Sequence, residues 1–163
     1  MTFTTAGLAD RFDDEVEAAE PILIHYGGQK AFSGAIETLD VFEDCGLLRA
    51  TLQEPGQGRV LVVDGGGSLH RALLGQELAQ LALDNGWQGL ILYGCVRHTA
   101  LLSQLPIGIL ALAATPKGTV CRGRGSRQQP VHFAGVTFRP GQFVYADGDG
   151  VLVSMRELAA HEA

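Results

Sequence analysis

A chain of 163 residues with 46% hydrophobic and 18% charged residues is long enough for one domain with a real core. Its formal net charge of −6 argues against a nucleic-acid backbone as the main partner, because phosphate binding draws on Lys and Arg, and is compatible with a basic protein partner. No apolar run reaches the ~18–20 residues of a membrane span, Met1 to Thr5 lacks the basic and apolar regions of a signal peptide, and three widely spaced cysteines (Cys45, Cys95, Cys121) fit reduced thiols without zinc-ligand spacing, so a cytoplasmic location is expected.

In chain order, residues 5–18 place Leu8, Phe12, Val16 and Ala19 at roughly helical spacing and predict a short amphipathic helix. Gly27-Gly28 reads as a turn. Ser33 to Phe42 alternates like a strand, and Leu47 to Gln53 reads as a short helix stopped by Pro55-Gly56. Val60 to Val63 is a continuous β-branched and Leu run, as in a strand covered on both faces. Gln76 to Asn85 is a helix with Leu78, Leu81 and Ala82 on one stripe and Gly86 at its C-terminal end. Leu90 to Tyr93 is a second buried strand, Thr99 to Leu105 a short helix ended by Pro106, and Ile107 to Ala113 a third apolar run. That β-α-β-α-β order predicts a parallel sheet with right-handed crossovers. Lys117 to Gln129 is a basic, Gly-rich loop. The short segments Val131–Phe133, Val136–Phe138, Phe143–Tyr145 and Val151–Val153, divided by turn residues, predict antiparallel hairpins.

Two polar sites follow the first two buried strands, where α/β folds build ligand crevices. The first, Asp64-Gly65-Gly66-Gly67-Ser68 with Gly75-Gln76-Glu77-Leu78, offers backbone N–H groups: glycines permit close approach, and the first turn of a helix has amides without intrahelical partners at the positive end of its dipole. The glycine spacing does not match a dinucleotide fingerprint, and a tight structural turn is the competing reading. The second, Gly94-Cys95-Val96-Arg97-His98, offers a guanidinium that grips a carboxylate in bidentate fashion or else pairs with a structural acid. His98 reads as a metal ligand, a base or an ordinary polar residue. Ser68 and Cys95 have no evident base nearby, so nucleophilic catalysis is poorly supported. Asp147 and Asp149 read as turn residues.

Gly27-Gly28, Phe42-Glu43-Asp44, Arg59 to Ser68, Arg71-Ala72-Leu73, Gly86-Trp87, Gly94 to Arg97, Gly135 to Phe138 and Tyr145-Ala146-Asp147 together resemble the RraA family over about residues 5–155. The family includes regulators of ribonuclease E activity and class II 4-hydroxy-4-methyl-2-oxoglutarate aldolases. The resemblance implies an α/β fold: a single swivelling β/β/α domain over 1–163, with a central mixed sheet, flanking helices and C-terminal β-hairpins. It also implies a homotrimer, sometimes a hexamer, with the site at the subunit boundary. In the aldolase branch, residues matching Gly75, Gln76, Glu77, Leu78 and Arg97 hold a 2-keto acid such as pyruvate or oxaloacetate, with Arg97 as the catalytic cation. A magnesium or manganese ion there supports cleavage of the aldol and a side decarboxylation of oxaloacetate. That branch carries aspartates where this chain has Gln76 and His98. Because magnesium favours anionic oxygen and imidazole suits softer metals, His98 is the remaining candidate ligand and hard-cation binding is expected to be weak. The reading placed first is a regulator that binds and restrains ribonuclease E; the alternative is a divalent-metal lyase. No direct nucleic-acid or membrane contact is expected.

Overall fold

The structure, a computed structural model, describes residues 3–158. Its elements in chain order are helix α1 (Thr5–Arg11), a 3-10 turn (Asp13–Glu15), strands β1 (Val16–Ala18), β2 (Ile24–His25) and β3 (Phe32–Asp40), helix α2 (Gly46–Leu52), strands β4 (Val60–Asp64) and β5 (Ala72–Leu74), helix α3 (Gln76–Asp84), strand β6 (Gly89–Val96), helix α4 (Thr99–Leu102), and strands β7 (Gly108–Ala114), β8 (Ser126–Arg127), β9 (Val131–Phe133), β10 (Val136–Phe138), β11 (Phe143–Asp147) and β12 (Gly150–Ser154).

One mixed sheet runs in the order β1-β12-β11-β3-β4-β6-β7-β2, with β5 attached to β6 and β8 to β3; β9 and β10 form a separate hairpin. The pivot is β3. Its first half pairs antiparallel with β11, Phe32 opposite Ala146, while its second half pairs parallel with β4, Asp40 opposite Asp64. The expected parallel β4-β6-β7 core and C-terminal hairpins are therefore both present, joined through this one strand.

The continuous apolar runs follow from burial on two faces. Leu61, Val63, Leu90, Leu92 and Ile109 pack beneath α2 and α3 with Leu48, Leu52, Leu78 and Ala82. Val60, Val62, Ile91 and Leu110 face the other way, into a layer built with Phe133, Val136, Phe138, Val144 and Val153. Within that layer Tyr93, Phe133 and Phe138 stack, with ring centroids 5.0 and 4.7 Å apart. Buried Glu37 of β3 is matched by Arg59 (3.5 Å) and Arg127 (3.3 Å).

Three expectations are corrected. The helix predicted over 5–18 stops at Arg11: Thr4 caps its start (Gly7 N to Thr4 Oγ1, 2.9 Å), the acidic Asp13-Asp14-Glu15 makes a 3-10 turn, and Val16 to Ala18 becomes an edge strand opposite Ser154 to Leu152. The pairing of β1 with β12 overrides the helical spacing. The helix expected from Thr99 to Leu105 ends at Leu102. The cysteines are not all free: Cys45 and Cys121, 76 positions apart, form a disulfide with Cα atoms 4.6 Å apart, while Cys95 is a buried free thiol.

Asp44 draws those two segments together. It is 3% exposed and its carboxylate accepts four backbone N–H groups: Oδ1 from Gly46 (2.9 Å), Arg122 (2.8 Å) and Gly123 (3.0 Å), and Oδ2 from Arg124 (3.0 Å). Burial pushes this carboxyl up, but the four N–H groups together outweigh it and hold Asp44 far below the usual carboxylate range. Among the described residues no helix is long and apolar enough to cross a membrane.

Candidate carboxylate site

The glycine turn after β4 is not an open donor site. Gly65 and Gly67 both donate to the Tyr93 carbonyl (3.1 and 3.0 Å), Gly66 donates to Asp64 Oδ1 (2.9 Å), and the Ser68 hydroxyl donates to Glu43 (2.6 Å). Gly66 and Gly67 sit at φ +69° and +71°, so the glycines serve the turn's left-handed backbone. This corrects the expectation of free N–H groups at 64–68. Asp64 itself is pushed up, first by burial and also by neighbouring Asp40, against the lowering effect of Gly66 N–H.

The rest of the predicted site does converge. Three-residue β5, absent from the expected elements, pairs with β6 at Cys95 and Val96 and so carries Gly75 to the side of Arg97. The Arg97 amide donates to the Leu74 carbonyl (2.9 Å). Gly75 is the extended N-cap of α3 and has no side chain to fill the space: a Cβ there would lie 2.9 Å from His98 Nδ1 and 3.4 Å from Arg97 Cγ. Residues 76–78 form the first turn of α3, whose amides lack intrahelical partners. Gln76 N–H donates to His98 Nδ1 (3.2 Å), and the exposed Glu77 pairs with Arg49 across the rim (2.9 Å).

Arg97 donates weakly to the Pro116 carbonyl (3.4 Å), and among the described residues no carboxylate lies within ion-pair distance of it. The reading of Arg97 as the partner of a structural acid is thus not what the chain adopts. Its guanidinium and the α3 amides border a cleft of about 170 Å³, together with Leu73, His98, Thr119 and the Cys45–Cys121 disulfide. A depression of about 190 Å³ shares Arg97 and His98 with this cleft, and one of about 310 Å³ shares Arg49 and Glu77 with it and holds the Gln76 side of α3. Two larger ones, of about 490 and 420 Å³, lie elsewhere: beside β1 and Arg156, and beside Gly34 and Tyr145. Both lack the pairing of a helix N-terminus with an unpaired guanidinium. The size and polarity of the cleft suit a ligand of a few heavy atoms with at least one carboxylate.

The donor set does not suit a hard divalent cation. His98 holds a left-handed backbone (φ +60°), and its Nδ1 lone pair accepts the Gln76 N–H, which puts the ring proton of a neutral imidazole on Nε2. Gln76 offers an uncharged amide where a carboxylate is needed. No group of three or more His, Cys, Asp or Glu able to hold a metal occurs among the described residues.

Residues 5–153 match the family model RraA-like, Aldolase/RraA. The chain belongs to the RraA-like family. It is 48% identical over 159 residues, 98% of either chain, to a protein of Stutzerimonas stutzeri (strain A1501) named "Putative 4-hydroxy-4-methyl-2-oxoglutarate aldolase". Its fold matches the RNA-processing inhibitor RraA from Thermus thermophilis with TM-score 0.93 and 45% identity, covering 98% of this chain and 96% of that one. It matches a protein of Geobacillus kaustophilus HTA426 described as an S-adenosylmethionine: 2-dimethylmenaquinone methyltransferase with TM-score 0.94 and 45% identity, covering 96% and 98%. Three activities are thus attached to one RraA-like fold, and the residues of the cleft have to discriminate among them.

Asp44 is the structural residue that sequence reasoning missed. The only signal for it was an acid preceding a helix, together with a glycine-rich loop in need of an acceptor.

Proposed function

We propose that this RraA-like chain binds a small 2-oxo acid such as pyruvate or oxaloacetate in the Arg97 cleft. We further propose that it works by protein contact, restraining ribonuclease E, rather than by turning the acid over on magnesium or manganese. One observation carries the reading: Arg97 stands beside the α3 amides without a carboxylate partner among the described residues, while the two positions that would face a hard cation hold an amide and an imidazole already accepting a hydrogen bond. The net charge of −6 suits an Arg-rich partner segment, whose approach it would speed. A homotrimer or hexamer belongs to the same reading. Exposed Phe42 and Leu69 lie within three residues of the cleft-lining positions 45 and 72, where a neighbouring subunit would cover them.

Lyase action on 4-hydroxy-4-methyl-2-oxoglutarate is the second reading, favoured by the name of the Stutzerimonas relative. The two readings separate in a pyruvate-release assay with magnesium, manganese, zinc and no metal, run beside capture of ribonuclease E fragments at low and high salt. The expected result is capture that weakens with salt and no release above background. Metal-dependent release together with absent capture would reverse the order.

A further inference from the structure

One wall of the cleft has almost no regular structure. The chain from Lys117 to Arg124 makes only single bridges, Gly118 to Ala72 and Val120 to Asp44. It is tied at its start by Ala72 N–H to the Lys117 carbonyl (2.6 Å), in the middle by Cys45 N–H to the Val120 carbonyl (3.1 Å), and beyond Cys121 by the Asp44 carboxylate on Arg122, Gly123 and Arg124. The part that meets the ligand space is 118–121: Gly118 lies against the Arg97 guanidinium, and Thr119 and Cys121 line the cleft. The Cys45–Cys121 bond is the covalent tie on that part.

We infer that Cys45–Cys121 is a reversible redox staple on the cleft wall, so that the grip on a small carboxylate depends on the thiol state of this pair. Cys121 is exposed and Cys45 is 7% exposed, so a dithiol reductant reaches the Cys121 sulfur first. Its thiolate attacks Cys121 Sγ, the protein S–S bond breaks, and Cys45 Sγ leaves with the electron pair and takes a proton. The reductant's second thiol then displaces Cys121, closing its own disulfide. Two electrons and two protons pass from the dithiol to the two cysteines. A small disulfide oxidant runs the exchange backwards. The Asp44 contacts and the Cys45–Val120 hydrogen bond hold the thiols as neighbours after reduction, so reoxidation needs no search through the chain. Oxidised, the wall is ordered before a ligand arrives; reduced, that order has to be supplied on binding.

The ligand half of this inference rests on the carboxylate-binding reading above. The test therefore carries a second readout. Whole protein is oxidised with glutathione disulfide or reduced with dithiothreitol, and its thiol state is read by mass after alkylation. Oxalate is then titrated by calorimetry, and amide exchange is followed over 117–121, with Cys121→Ser as a permanently open form. The expected result is oxalate binding about tenfold tighter in the oxidised protein, slower exchange of the wall, and a Cys121→Ser protein that matches the reduced form whatever the oxidant. Should that variant fail to fold, the two states of the native chain decide. No disulfide after oxidation overturns the inference, as does equal oxalate affinity in the two states. If oxalate binds neither state, exchange decides: a difference leaves the staple standing and removes the carboxylate reading, and no difference removes both.

Discussion

Replacing Asp44 by Asn tests the node that assembles the cleft wall. Four backbone N–H groups converge on this carboxylate at 2.8–3.0 Å. A hydrogen bond to a charged group contributes about 1.5–3 kcal/mol, so the gross total is roughly 6–12 kcal/mol. Desolvating the carboxylate takes back several kcal/mol. Asn retains one acceptor oxygen but turns its NH₂ toward at least one of the four donors. The net loss expected is about 2–4 kcal/mol, or a fall of roughly 1–2 M in the urea midpoint, measured with the disulfide intact in both proteins. The pH dependence has a definite sign. The folded-state pKa of Asp44 is depressed, so its stabilisation is complete above the unfolded value near 4 and declines as pH falls below it. The gap between native chain and variant should therefore narrow by about 1 kcal/mol between pH 7 and pH 3. An unchanged midpoint at pH 7, or a gap just as wide at pH 3, would refute the reasoning.

Arg97→Ala should weaken oxalate binding about 10- to 100-fold by calorimetry, and Arg97→Lys should recover only part of it, because an ammonium cannot reproduce the fork. Gly118→Ala places a methyl 2.7 Å from Arg97 Cζ. The side chain is flexible and moves, so oxalate affinity should fall while the thermal midpoint stays within about 2 °C. Gln76→Asp with His98→Asp supplies two anionic oxygens and should create manganese binding detectable by the loss of the free-ion paramagnetic signal; an unaltered titration would mean the cleft is not where the family's cation sits.

The parallel core was legible because β4, β6 and β7 are unbroken apolar runs and α3 has a clear stripe ending before Gly86 at φ +84°. Arg97 was legible for a related reason, since it sits just past the end of β6, and the start of α3 was legible from its own apolar stripe. What escaped depends on partners far along the chain. Val16 finds Ser154, and Cys45 finds Cys121 through a carboxylate whose four acceptor contacts no local pattern reveals. Strand β5 is three residues long, too short for any period to register. The Asp64-Gly-Gly-Gly turn looked like an anion cradle because glycine suits both uses; only the Tyr93 carbonyl, which takes two of its N–H groups, separates them.

The pairing of β1 with β12 has a consequence for synthesis. Val16 leaves the ribosome long before Ser154, its partner across the ladder, and the first half of β3 likewise waits for β11. At about 5–20 residues per second the interval is roughly 7–28 s. Throughout it the nascent amino-terminal segment has an unfilled edge, and the Asp147 carboxylate that accepts the Thr5 N–H and hydroxyl at the start of α1 has not yet been made. Completion of the sheet therefore waits for strands made more than a hundred residues later, and a chaperone that shields strand edges would have its longest opportunity on residues 16–35.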